Sequence, residues 1–199
     1  MKALSVKQPW AHLMATDQKT IAVRMVPKNS TFYPTALTLV GEVITLYAPE
    51  ILRTNTITET WTPDDILLPG ELQDELAARP PYSGCRASLW EKLPRNRVVG
   101  YGRLVEVKRY KKPAEFLADA KLHRITWMDH ETWNYIRSNG RWVFGLRFDN
   151  LRVWESRLLG LGENGVAGFW PLPDDIKSGV DNHLNRYPIN RAQSAEYLG

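Results

Sequence analysis

Cysteine is nearly absent from this 199-residue chain. Cys85 stands alone, so no internal disulfide can form and no thiol pair is available for zinc. The four histidines show no paired spacing that would replace those ligands, so neither a metal nor a cofactor is expected. Long apolar runs are missing as well. None approaches the roughly 18 residues of a membrane helix, and "MKALSV" turns polar at "KQP" before a leader could build its apolar centre. No segment recurs at the period of about 20–50 residues that marks a solenoid. These absences lead us to expect a reducing, cytoplasmic setting with no membrane partner. What remains, 43% hydrophobic and 24% charged residues, is ordinary for one folded domain.

The net charge is only +4, but it is unevenly spread. From Glu50 to Glu75, seven acids face one arginine, a local charge of −6. From Arg86 to Lys112, nine basic residues face two acids, a local charge of +7. A segment that basic attracts phosphates. The two segments are equally suited to facing each other as complementary surfaces, and the acidic one to holding a protein partner.

Residues 3–6 read as a short strand. Pro9 suits the first turn of a helix, where its missing N–H costs nothing, and Trp10, Leu13 and Met14 recur at helical spacing. "TIAVRM" (20–25) alternates as a strand, and "ALTLVGEVITLY" (36–47) reads as a longer strand bent at Gly41. Residues 49–96 are proline-rich and acidic, an excursion with one short helix near 71–79. Strand pattern returns at 97–110, and "TWMDHETWNYIRS" (126–138) is helical with Thr126 or Asp129 as cap. "RWVFGLRF" (141–148) alternates strictly; 151–154 extends it beyond a turn at "DN" (149–150), and 165–172 is the last core strand. The tail 173–199 is polar and aperiodic. The pattern predicts an α+β fold, mainly β: a small antiparallel β-barrel with a few short helices. Nothing near 97–112 is helical enough for helix-turn-helix DNA recognition.

"ALSVKQPWAHLMATDQKTIAVR" resembles the opening signature of the ASCH domain family, whose fold is PUA-like. Ser5, Lys7, Gln8, Pro9, Trp10, Ala11, Lys19, Ile21 and Arg24 fit it. Looser likenesses follow at "LTLVGEVITLYAP", "RVVGYGRLVEVKRY" and "RWVFGLRFDNLRVWES", ending at "GVAGFWPLP". The resemblance implies a single domain over 1–172, with 49–96 inserted and 173–199 appended. It implies a partner that is RNA, DNA or a nucleotide, bound in a cleft near the first helix. It also implies a second possibility, a metal-independent hydrolase of modified cytidines such as N4-acetylcytidine, or a ribonuclease, with Lys19 as its catalytic residue. At position 22 the family carries Glu or Thr. Ala22 can neither attack an acyl carbon nor take a proton.

Each candidate residue has a plainer role beside its functional one. Lys19 is a proton carrier or phosphate holder, or a solvated lysine after a helix end. Arg24 clamps an anion, or pairs with an acid inside the fold. Gln8 can read a base edge or cap the helix; Trp10 lines the cleft or fills the core. Ser5 and Lys7 enter through the motif. "KRYKK", that is Lys108, Arg109, Tyr110, Lys111 and Lys112, interleaves cations with an aromatic as single-stranded RNA recognition requires. The alternative is a solvated strand end. Ser5 and Cys85 lack any motif that would make them nucleophiles, and no histidine completes a triad.

Overall fold

The computed structural model describes residues 1–8, 10–49, 93–125, 128–159 and 168–189. β1 (Lys2–Ser5) leads into α1 (Trp10–Ala15), β2 (Ile21–Pro27), α2 (Phe32–Thr38) and β3 (Val43–Ala48). After the long interval come β4 (Arg97–Tyr110), α3 (Pro113–Ala118), α4 (Ala120–His123), α5 (His130–Ser138), β5 (Arg141–Val153), β6 (Phe169–Pro171) and α6 (Asp174–Arg186).

The six strands form one mixed sheet in the order β2-β5-β4-β3-β1-β6. Only β1 and β3 run parallel; every other neighbouring pair is antiparallel. β2 and β6 end the sheet and do not pair with each other, so the expected closed barrel is replaced, among the described residues, by an open sheet. Register shifts in β4 against β5, after Tyr101 and after Leu104, bend these two long strands. The inner core lies on one face, where Leu4, Met14, Ala22, Ile44, Leu104, Leu146 and Phe148 cluster with Ala11 and Ala15 of α1. The other face of β4 and β5 carries Tyr110 and Val143 against Phe116, Trp133 and Ile136 of α3 and α5. α6 seals the β1–β6 end with Ile176 against Trp170 and Tyr47.

Gly100 explains how α1 comes so close to the sheet. A Cβ there would lie 2.8 Å from the Ala15 Cβ and 2.5 Å from the Arg152 carbonyl oxygen.

Several expectations change. The strand expected over 36–47 begins only at Val43; the preceding residues form α2, whose Phe32 stacks on Phe169 and whose Ala36 is fully buried. The polar tail carries a 13-residue helix, α6, held by buried Ile176 and Val180 and by the Arg157–Asp175 ion pair at 2.7 Å. The stretch 113–123, assigned to no element above, forms α3 and α4. β5 runs through 141–153 without the turn expected at Asp149–Asn150, and among the described residues of 165–172 only Phe169–Pro171 is strand. The helix expected over 126–138 starts at His130, capped by Asp129, which accepts the Thr132 N–H at 2.7 Å. Thr126, the helix near 71–79 and the acidic 50–75 segment lie outside the described residues.

Candidate functional site

α1 ends abruptly. Asp17 takes a left-handed backbone (φ 58°), and the N–H groups of Gln18 and Lys19 both turn back to the Leu13 carbonyl, at 2.8 and 3.1 Å. That turn swings the Lys19 side chain inward instead of into solvent. Lys19 is 2% exposed. Its Nζ donates to the His123 carbonyl and lies 4.7 Å from the centre of the Trp10 ring. Burial, then the nearby charges of Arg24 and Arg124, hold its pKa well below the ordinary lysine value.

Arg24 shares a face of β2 with Ala22. Its guanidinium donates to the Val23 carbonyl at 2.8 Å and to the Ser5 carbonyl. Burial lowers its pKa to about 10. Arg124, itself in a left-handed conformation (φ 58°), donates from Nε to the Gln18 carbonyl at 2.9 Å. The ion pairs formed among the described residues involve other arginines and Lys108; none brings a carboxylate to Lys19, Arg24 or Arg124. Three cations therefore gather at one junction without a described counter-charge.

The other motif residues divide. Ser5 joins the junction through its carbonyl, while its Oγ accepts the Trp170 Nε1–H at 3.1 Å. Trp10 is half-buried and packs against both cores. Gln8 is 2% exposed and both ends of its amide are engaged: Oε1 accepts the His12 N–H at 3.0 Å, and Nε2 donates to the Pro94 carbonyl at 2.7 Å. That is the capping role, with a tie to the chain before β4. Lys7 is exposed, and Ala22, at 1% exposure, is part of the inner core.

The basic run 108–112 does not act as one surface, because strand alternation splits it. Tyr110 points to the outer face and is fully buried; its hydroxyl donates to Asp119 at 2.8 Å and its ring meets Phe116 edge-on. Burial and this carboxylate push its pKa up. No base can stack on Tyr110, which corrects the expectation for it. Lys108 on the same face pairs with Asp119 at 2.6 Å. Burial works against the Asp119 charge, but the bonds from Lys108 and Tyr110 outweigh it and hold that carboxyl below its ordinary range. Lys111 and Lys112 are exposed beyond the strand, with the Lys111 N–H on Glu115 at 2.8 Å. Arg109 points the other way, to the inner face.

Two residues of the site, His123 and Arg124, carry no local sequence signal, since their contacts are made across about a hundred residues of chain. The His123 ring is fully buried and stacked on Phe116, with centroids 4.0 Å apart. Its Nδ1 accepts the Ile125 N–H at 3.1 Å, so Nε2 carries the hydrogen and donates to the Phe116 carbonyl at 2.8 Å. Burial is the largest cause lowering its pKa to about 4. Among the described residues, no three His, Cys, Asp or Glu side chains are placed to share a metal ion, and no helix is long and apolar enough to cross a membrane.

No family model matches this sequence, and no curated protein matches it. The fold is similar to that of an ASCH protein from Zymomonas mobilis, at 8% identity and a TM-score of 0.46 over 91% of this chain and 93% of that one. It is likewise similar to two mutants of that protein, one at 10% identity and TM-score 0.45, over 92% of this chain and 94% of that one. The other is at 8% and 0.43, over 91% of this chain and 96% of that one. At such identities the likeness concerns the path of the chain and not its side chains.

Proposed function

We propose that this protein binds RNA, or a nucleotide unit of it, in the cleft beside α1, with Lys19 and Arg24 at its anion-holding end. One observation carries the reading: Lys19, Arg24 and Arg124 converge with no described carboxylate to neutralise them. Burying cations without a counter-charge is costly, and an incoming phosphate supplies that charge. Half-buried Arg24 is the cation a ligand meets first, and Lys19, nearly fully buried, stands behind it. The likeness of "KQPWAHLMATDQKTIAVR" to the ASCH opening agrees in kind of ligand. Titrating a labelled single-stranded RNA into the protein tests this. Arg24→Gln is expected to weaken binding by about 1.5–3 kcal/mol, the worth of a charged hydrogen bond. Undiminished binding would move the site elsewhere.

A second reading, hydrolysis of a modified nucleoside, is favoured by one feature. Burial and the neighbouring arginines make the Lys19 ammonium readier to release its proton than an ordinary lysine, as a proton carrier must be, and the hydroxyl of Thr20, next in the chain, is buried without a hydrogen bond. Incubating the unaltered protein with N4-acetylcytidine decides it: deacetylated product that disappears in Lys19→Met favours the enzyme, and no product over hours favours the binder.

A further inference from the structure

We infer that the cleft continues past Arg24 into a base-stacking subsite made by Arg109, Trp142 and Tyr33, and that its ligand is a nucleotide unit, an aromatic base joined to a phosphate. The inference rests on the nucleotide-binding reading above and extends it to residues the opening motif does not contain.

The register of the sheet makes the connection. Arg24 of β2 and Arg109 of β4 are both paired with Phe144 of β5, one from each side. They therefore lie on the same face of the sheet, two strand spacings or about 10 Å apart at their Cα atoms. Both side chains are half-buried and flank Phe144, whose ring is fully buried under Tyr33.

The state of Arg109 is unusual. Its guanidinium lies 3.6 Å from the centre of the Trp142 ring, and among the described residues it has neither a hydrogen bond nor a carboxylate partner. Its Nε is buried and unpaired. A buried donor left in that condition is unfavourable, and a phosphate or a base edge satisfies it. Stacking on the indole fixes the plane of the fork, so its donors are pre-aligned for a bidentate acceptor.

Aromatic rings complete the surroundings. Tyr33 of α2 stacks on Phe144, with ring centroids 4.7 Å apart and planes at 17°, and Trp142 meets Phe144 edge-on at 6.2 Å. Tyr33 and Trp142 are half-buried, and the Tyr33 hydroxyl makes no hydrogen bond among the described residues. Rings beside an unsatisfied, flat guanidinium match what an unpaired base and its phosphate require. A phosphate alone would leave the rings unused, and a nucleoside alone would bring no anion to Arg24 and Arg109.

The test is calorimetric titration with uridine monophosphate, uridine, inorganic phosphate and a short single-stranded RNA. Uridine monophosphate is expected to bind, with uridine and phosphate each weaker by about tenfold or more. Arg109→Gln and Trp142→Leu should each lose about tenfold or more, while Lys177→Gln, on exposed α6, stays within about twofold. If Arg109→Gln fails to fold, Arg109→Lys keeps the charge without the flat fork and should still lose several-fold. In the NMR spectrum the indole N–H resonance absent from Trp142→Phe should be one that uridine monophosphate shifts in the unaltered protein. Tighter binding of RNA with the same sensitivity to Arg109 means that the unit is read within a strand; equal binding means a free nucleotide. If Arg24→Gln loses binding while the Arg109 and Trp142 variants bind as the unaltered protein does, the subsite is wrong and the anion end survives. If no probe binds the unaltered protein, both fall.

Discussion

Acidification should destabilise this protein through one histidine whose ring holds the site's framework. In the folded protein the His123 ring is neutral, with Nδ1 accepting the Ile125 N–H and Nε2 donating to the Phe116 carbonyl. Protonating Nδ1 would set two donors against each other inside a fully buried pocket that also holds Lys19. Its pKa is accordingly about 4, against 6.5 for a free histidine. The unfolded chain binds a proton near pH 6.5 and the folded one only near 4, so unfolding takes up a proton between those values and stability falls as pH falls through that window. At about 1.4 kcal/mol per pKa unit, this difference corresponds to about 3 kcal/mol, fully present above pH 6.5 and gone by pH 4. Urea unfolding at pH 7 and pH 4.5, followed by tryptophan fluorescence, measures it in the unaltered protein and in His123→Gln. The variant should be less stable at pH 7 and lose much less on acidification. Equal losses in the two proteins would refute the reasoning. Because the His123 carbonyl receives Lys19, RNA affinity at pH 4.5 should also be more easily lost on mild urea addition than at pH 7.

Gly100→Ala should lower the urea midpoint by an amount equivalent to about 1–3 kcal/mol, because the new Cβ meets the Arg152 carbonyl oxygen and the Ala15 Cβ; an unchanged midpoint would mean that α1 lifts off the sheet at no cost. Ala22→Thr places a hydroxyl in the inner core and should cost about 1–3 kcal/mol if that hydroxyl finds no partner, while yielding no deacetylation of N4-acetylcytidine; product formation would favour the hydrolase. Removing the exposed charges of Lys111 and Lys112 should flatten the salt dependence of RNA binding by at most about 1.4 in log–log slope, some 0.7 for each phosphate contact. Removing Lys108, already paired with Asp119, should leave that slope unchanged.

The parts of the fold legible in the sequence are those whose residues satisfy a local rule. Trp142, Phe144, Leu146 and Phe148 alternate as one strand face must, and Asp129 stands where α5 needs a cap. α2 escapes because "TFYPTALTLV" is rich in β-branched and aromatic residues, and its helix is held by tertiary partners, Phe169 against Phe32 and Phe144 against Tyr33. α6 escapes because Gly179 interrupts it and only Ile176 and Val180 are buried. At the site, Lys19 and Arg24 were visible through their motif. The basic run at 108–112 was visible as charge, but which of its members face inward depends on a register with β5 that no local pattern states. That register sends Tyr110 into the outer core and Arg109 to the inner face. His123 and Arg124 meet Lys19 only because 113–124 folds back onto the α1–β2 turn.

The central claim is that the uncompensated cations at the α1–β2 junction hold an RNA or nucleotide phosphate. The most direct measurement is the fluorescence anisotropy of a labelled single-stranded RNA titrated with the unaltered protein and with a Lys19→Met/Arg24→Gln double variant, at two salt concentrations. The unaltered protein should bind, and the double variant should lose about 100-fold or more, near the sum of two weak charged hydrogen bonds, with a flatter salt dependence. Equal affinities and equal salt slopes in the two proteins would contradict the account.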